Sequence, residues 1–383
     1  MSDGHEATGE PTTRRASHSP LQHSARAHTP RMLQIIATTI AAVAGFILVY
    51  GITVSQQIEG AISTQDVDHI VDDIDVEVAQ TGALNILLMG SDTRDGDNAD
   101  ISGDDAPGMR NDTTIVAHIA GDRSRVDMIS IPRDMQVEIP DCTLLDGEVV
   151  TGGYGDFNIA FSNGGKNGDP AEAAACTINT VQQDAQIPID HWAVIDFDGF
   201  ITMIDALGGV EIYIPTDIVS SKAQLDLEAG WQTLTGEEAL GYARLRTAEV
   251  GDVSGSDLQR ISRQQQLLEA VIHTVFEKNL LTDASALTQF LRAASESLTT
   301  DPELGQVDFV LSLAASLRNT PEDNFTFHTV PWVYTDDRLN VLPTEEAETM
   351  FQQLRDDVPI TVDAEGDSTS EWDTNPTPEP SNG

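Results

Sequence analysis

Two apolar, β-branched stretches, Thr113–Ala120 and Arg125–Ile131, are separated only by Gly121-Asp122-Arg123-Ser124. A four-residue link between strand-like runs leaves room for a β-hairpin and little else. If Ala120 pairs with Arg125, counting outward without a bulge sets Asp112 opposite Arg133. Directly opposed residues hold their Cβ atoms about 5 Å apart. The register alone therefore brings a carboxylate beside a guanidinium at the open end of the hairpin. A third strand, Asn85–Met89, precedes the hairpin. Asp92 and Arg94 follow it, at the end where a parallel or mixed α/β sheet opens its binding crevice.

Beyond the hairpin, strand-like and helix-like segments alternate. Val210–Ile214 and Thr326–Pro331 read as strands; Glu172–Gln183, Phe197–Leu207, Leu258–Leu281, Ala284–Ser297 and Leu304–Leu317 read as helices. That order predicts an α/β fold with a mixed central β-sheet sandwiched by helices. The folded region is expected over residues 82–360. Residues 1–31 are polar and lack an apolar period, as a disordered tail does, and the acidic segment 361–383 reads the same way. Residues 32–54 form an uncharged, mostly apolar run of 23, against the roughly 20 that a helix needs to cross a bilayer core. Arg14, Arg15, Arg26 and Arg31 precede it, which places the N-terminus in the cytoplasm and the large domain outside. No small-x-small site closely follows, so the run is read as one retained transmembrane anchor in the cell membrane and not as a cleaved signal. Residues 55–81 are expected to be an extracytoplasmic stalk. In that compartment the two cysteines, Cys142 and Cys176, are expected to pair as a disulfide; two buried free thiols are the alternative.

The chain carries a formal charge of −43, which excludes an electrostatic grip on nucleic acid. Its basic residues are lopsided, with 17 Arg against 3 Lys. The planar guanidinium fork matches phosphate oxygens in pairs, so a local arginine cluster in so acidic a chain calls for an anion. A second cluster lies between Arg244 and Arg263. Thr235-Gly236-Glu237-Glu238 has the form of a capping box and predicts a short helix over Gly236–Tyr242. Ala243–Thr247 then reads as extended, with Arg244 and Arg246 on one face. Ser256-Asp257-Leu258-Gln259 is a second capping box, and Arg260, Arg263, Gln264 and Leu267 form one stripe on the helix that follows. Cations in the first turns of a helix oppose its dipole. An anion docked at that N-terminus reverses the sign of the interaction. Asp92 and Asp112 suit Mg²⁺, which takes one or two carboxylates and fills its shell with water and phosphate oxygens; Mn²⁺ fits the same donors. Together these groups read as a grip on a metal-bound pyrophosphate. The bland alternative is a set of structural ion pairs and a salt-bridged surface helix.

The segments NILLMGSDTR, RNDTTIVAHI, ISIPRD, FNIAFSNGG, DFDGFITMIDALGGVEIYIP, GEEALGYARLR and DLQRISRQQ occur in this order from about Leu84 to Val275. In them the chain resembles the LytR-CpsA-Psr family of membrane-anchored, extracytoplasmic transferases. The resemblance implies Mg²⁺-dependent phosphoryl transfer, in which a glycopolymer moves from a polyprenyl-pyrophosphate carrier to peptidoglycan or another envelope acceptor and polyprenyl phosphate leaves. It further implies Asp92 and Asp112 at the metal, with Arg110 and Asp112 as catalytic residues. Arg94, Arg133, Arg244, Arg246, Arg260, Arg263 and Gln264 or Gln265 would bind the pyrophosphate, and the apolar faces of Phe197–Leu207 and Leu258–Leu281 could line a lipid slot. The family's lysine before an Ile-Asn-Ala segment is absent; Phe157 stands in that region. Asp104 and Asp105 lie in a long acidic loop, where either is a candidate base. Two competing readings use the same residues: a lipid pyrophosphate hydrolase, and a non-catalytic protein that binds lipid-linked polymer. A Gly-x-Ser-x-Gly elbow is missing. His118, His191, His273 and His328 lack the spacing of a zinc site.

Overall fold

The structure is a computed structural model and describes residues 53, 55–72, 78–92, 109–251, 253 and 257–362, with backbone alone at 257–259 and 261. The expected tails except Thr361 and Val362, the anchor except Thr53, Arg94, Asp104, Asp105 and Ser256 of the second capping box lie outside these residues. Among the described residues no helix is long and apolar enough to cross a membrane.

Seven strands build the central sheet: β1 (Ser63–Thr64), β2 (Leu84–Ser91), β3 (Asn111–Ile119), β4 (Val126–Ile131), β5 (His191–Asp196), β6 (Leu298–Thr300) and β7 (Phe325–Thr329). Their order is β1-β6-β5-β2-β3-β4-β7. β2 pairs with β5 in parallel and with β3 antiparallel; β4 pairs antiparallel with β3 and in parallel with β7. The sheet is thus mixed, as expected. The carboxyl ends of β2, β4, β5 and β7 and the start of β3 share one end of it.

Alternation along the strands gives two apolar faces. Leu87, Met89, Val116, Ile129 and Ile131 pack against helix α1 (Pro170–Ala185) in the largest core. Ile86, Ile115, Ala117 and Met128 face the other way, toward Leu268 of α4 (Asp257–Glu277) and Leu313 and Leu317 of α6 (Val307–Leu317). A separate core joins α2 (Phe197–Leu207), the hairpin of Val210–Ile214 with Gly230–Leu234, α3 (Gly236–Arg244) and α4. Two glycines allow the close approaches here. A Cβ on Gly199 would lie 2.4 Å from that of Ser297, and one on Gly236 would lie 2.3 Å from Ile201 O.

Several boundaries differ from the sequence reading, among them the end of α4 at Glu277 and the start of α6 at Val307, and two bear on the site and its frame. The stalk expected over 55–81 is, across its described residues, part of the fold. β1 extends the sheet beside β6, Ile58 and Ile62 form a small core with Val307, and Val67 and Ile70 enter the main core. Apolar residues spaced too irregularly to read as an element can still be buried by a partner distant in sequence. Helix α3 also runs to Arg244, two residues past its predicted end. Cys142 and Cys176 form the expected disulfide, with Cα atoms 5.5 Å apart across a separation of 34 residues. It ties the strand Cys142–Thr143 to α1, and cross-linking a loop of that length stabilises by roughly 3–4 kcal/mol in the chain-entropy model. Past α1, α5 (Ala284–Ala294) packs near α2, and α7 (Glu345–Arg355) closes the main core through Ala347, Met350 and Leu354.

Candidate active site: two arginine sets around Asp112

The hairpin register is the one counted from sequence. Thr114 faces Ile131, Ile119 faces Val126, and Ala120 N donates to Arg125 O at 3.1 Å. The ladder stops two residues short of Asp112 and Arg133, whose side chains close the gap themselves: Arg133 Nη1 donates to Asp112 Oδ1 at 2.5 Å. On its other side β3 carries a bulge. Gly90 faces Thr113 while Ser91 faces Asn111, so Asp112 is the extra residue. Bulges re-aim a side chain at the edge of a ladder. Asn111, buried in the same turn, holds this one: its Oδ1 accepts from Thr113 N at 2.7 Å and its Nδ2 donates to Thr114 Oγ1 at 2.8 Å. Sequence reasoning missed that role, although an Asn two residues before a Thr is an Asx-turn signal.

Asp92 follows β2 and is clamped across to the start of β3. Its N–H donates to Arg110 O at 3.0 Å, and Arg110 N donates to Asp92 Oδ1 at 2.8 Å. Arg110 itself is exposed. Arg133 also meets Asp134, Nε to Oδ1 at 3.1 Å, so its guanidinium is held between two carboxylates.

The second arginine set reaches the same carboxylate. Arg246 Nη2 lies 3.7 Å from Asp112 Oδ2. Burial by itself would raise the pKa of Asp112, but the charges of Arg260, Arg133 and Arg246, with the Arg133 hydrogen bond, hold it below the usual carboxylate value. Burial lowers the pKa of Arg244, while Asp112 and Asp92 pull it back up, which puts both carboxylates within electrostatic reach of one guanidinium. Arg244 also lies over the ring of Phe197, 4.5 Å from its centroid, an arrangement that orients a planar cation. Phe197 begins α2 immediately after β5, and its helical pattern gave no hint of that contact. The capping box that starts α3 is formed as predicted, with Thr235 N donating to Glu238 Oε2 at 2.9 Å.

The predicted stripe on α4 divides. Gln264 and Gln265 line a cleft with Thr113, Ser130 and His328, between the sheet and α4; Gln265 Nε2 donates to Thr329 Oγ1 at 2.7 Å. Arg260 is 3 % exposed. Arg263 is wholly buried and turned inward, with Nη2 donating to Leu245 O. Counting Arg110 and Arg263, six arginines (Arg110, Arg133, Arg244, Arg246, Arg260 and Arg263) gather with three carboxylates (Asp92, Asp112 and Asp134) in a chain whose formal charge is −43. This end of the sheet is a local basin of positive charge suited to a multiply charged anion.

The sequence profile of the LytR_cpsA_psr family matches residues 46–356, which takes in every described residue of this site. The chain belongs to that family. Among curated relatives it is 34% identical over 233 residues to the polyisoprenyl-teichoic acid–peptidoglycan teichoic acid transferase TagU of Halalkalibacterium halodurans, covering 61% of this chain and 65% of the relative. It is 30% identical over 270 residues to the cell wall biosynthesis protein LcpA of Corynebacterium glutamicum, covering 66% of this chain and 51% of the relative. The chain thus spans about half to just under two thirds of these relatives' length. The crystal structure of B. subtilis TagV superimposes with a TM-score of 0.53 at 26% identity, covering 73% of this chain and all of that one. In this member of the LytR_cpsA_psr family, Asp112 is met by Arg133 from just past β4 and by Arg246 from just past α3, and it feels the charge of Arg260 on α4.

Proposed function

We propose that this protein is a Mg²⁺-dependent phosphotransferase. It moves a glycopolymer from a polyprenyl-pyrophosphate carrier onto peptidoglycan or another envelope acceptor and releases polyprenyl phosphate. The observation that carries this reading is Asp112, gripped at 2.5 Å by Arg133 and at 3.7 Å by Arg246 from two separate parts of the chain. The names of the relatives, teichoic acid transferase and cell wall biosynthesis protein, favour a transfer over hydrolysis or binding alone.

In the transfer an acceptor hydroxyl forms a new O–P bond at the glycan-side phosphorus. The bond to the bridging oxygen breaks, the carrier leaves as polyprenyl phosphate, and the hydroxyl proton passes to a base. Such reactions depend mainly on positioning and on neutralising charge spread over the phosphoryl oxygens. Arg133, Arg244, Arg246 and Arg260 supply that charge here, with Arg110 beside Asp92 and Arg94 two residues beyond it in sequence. Asp92 and Asp112 are hard oxygen donors, and both act on Arg244; this donor set fits Mg²⁺, which would neutralise phosphate oxygens when bound. Partly buried apolar side chains on three helices, Phe200, Val271, Val275 and Phe290, support a slot for the lipid chain. The apolar run 32–54 supports a single-pass anchor in the cell membrane, with the N-terminus cytoplasmic and the domain extracytoplasmic. Asp112→Ala tests the reading: turnover of a lipid-pyrophosphate glycan and appearance of glycan on peptidoglycan should both stop. Attachment persisting at normal protein level would contradict it.

A further inference from the structure

Arg263 is 0 % exposed. Its Nη2 donates to Leu245 O, the carbonyl of the residue between Arg244 and Arg246. Its Nε and Nη1 are buried and have no hydrogen-bond partner among the described residues. Burial, with Arg260 close by and only the Tyr242 phenol in opposition, pushes its pKa down to about 10. A buried cation in these surroundings costs stability, and an apolar residue of similar volume is often as good or better. Its use must therefore lie in what it holds.

Helix α3 ends at Arg244, and Leu245 leaves the helix with φ −59° and ψ 119°. Its N–H reaches Tyr242 O only at 3.4 Å, and its side chain is wholly buried. Carbonyls past a helix end have no intrahelical donor, and a buried one needs a partner. Arg263 supplies it from the second turn of α4. One residue pair along the same seam, Tyr242 Oη donates to Gln266 Oε1 at 2.8 Å. The peptide that carries Arg244 and Arg246 is thus pinned to α4 at two points, Tyr242 and Leu245.

We infer that Arg263 is a positioning residue, which fixes the Arg244–Leu245–Arg246 segment against α4 so that both guanidiniums face Asp112. This rests on the pyrophosphate reading above and departs from the direct phosphate contact that the helical stripe implies. A residue that acts through others should have little effect once those others are gone.

The test is binding of geranylgeranyl pyrophosphate with Mg²⁺ to the full-length protein in detergent, by calorimetry, for wild type, Arg263→Met, Arg263→Lys, Arg246→Ala and the Arg263→Met/Arg246→Ala double variant. Arg263→Met sets the relief of a buried cation against an unpartnered Leu245 carbonyl, so it should melt close to the wild type, and it should bind about tenfold or more weaker, on the order of the loss for a misplaced charged contact. Arg263→Lys, which still offers a donor to Leu245 O, should recover part of that affinity and keeps the test valid if the methionine variant does not fold. In the Arg246→Ala background, Arg263→Met should cost less than half of its effect (in log units) in wild type. Full additivity would mean that Arg263 touches the anion directly, and unchanged affinity in Arg263→Met would mean that it does neither; each overturns the inference. If the wild type does not bind the probe, the pyrophosphate reading falls first, and the role given to Arg263 falls with it.

Discussion

Replacing Arg133 with Met separates the site's electrostatics from its architecture. Arg133 is 20 % exposed in its pair with Asp112 and joins it to Asp134. Its removal leaves Asp112 with Arg246 at 3.7 Å and with the charge of Arg260, which outranks that of Arg133 in holding its pKa down. Asp112 thus keeps two cations, and Asp134, which loses its contact with Arg133, is partly exposed. The stability cost is that of a partly exposed ion pair, about 1 kcal/mol, or a fall in melting temperature of roughly 2–4 °C for a domain of this size. Catalysis loses one preorganised cation at developing phosphoryl charge, which in comparable sites costs about 10²–10³ in rate. Arg133→Lys keeps the charge but loses the fork and should fall between. Thermal melts paired with release of polyprenyl phosphate measure both quantities. A rate loss under about tenfold, or a melting shift beyond roughly 10 °C, would show that Arg133 serves the fold and not the reaction.

Two further expectations concern charges away from the site. Asp357, just past α7 at φ 51°, accepts from Gly121 N at 3.0 Å and Arg125 Nη2 at 2.8 Å and lies 3.2 Å from His118 Nε2. Asp357→Ala takes the partner from the buried His118 Nε2 and from Arg125 Nη2, while Arg125 Nε keeps Asp127 at 2.9 Å and His118 Nδ1 keeps Asn85 at 2.7 Å, so urea unfolding should show a loss of roughly 2 kcal/mol; a loss under about 0.5 kcal/mol would contradict the contact's importance. His191 Nδ1 lies 3.2 Å from Asp301 Oδ1. Burial opposes charging both groups. Even so, Asp301, with smaller contributions from Glu303 and Asp190, raises the His191 pKa above 6.5, and His191 with neighbouring amides lowers the Asp301 pKa below 3.8. A raised histidine stabilises fully below its unfolded value and stops doing so as pH rises through its folded one. A lowered aspartate stabilises above its unfolded value and stops as pH falls through its folded one. Wild type should therefore gain most over His191→Asn between about pH 4 and 6.5, measured as unfolding free energy against pH, and parallel curves would sink the pairing.

Much of this site was legible in the sequence because hairpin arithmetic is local. Four loop residues and two strands set Asp112 against Arg133, and the formed bond needs no information from elsewhere. The Thr235–Glu238 capping box and the strand and helix spans Val210–Ile214 and Phe197–Leu207 were equally local and match the structure. What escaped depends on contacts across the chain. β5 passes straight into α2 with no loop between them, so no turn former marks its end, yet it lies near the centre of the sheet beside β2. The segment read as a stalk is buried by Val307 and α1, more than a hundred residues away. Helical periodicity put Arg263 on the stripe of Arg260 and Gln264, but periodicity fixes an angle around the axis and not which side chain turns inward to a carbonyl.

The most direct test of the central claim is a double-mutant cycle between Asp112 and Arg246, read as transfer of glycan from a lipid-pyrophosphate donor to peptidoglycan. If both segments grip one pyrophosphate, Asp112→Ala abolishes transfer; Asp112→Asn leaves a measurable part of it, and Arg246→Ala weakens transfer strongly in wild type but adds little in the Asp112→Asn background. Transfer that survives Asp112→Ala, or two losses that simply add, would contradict a single site assembled from the two halves of the chain.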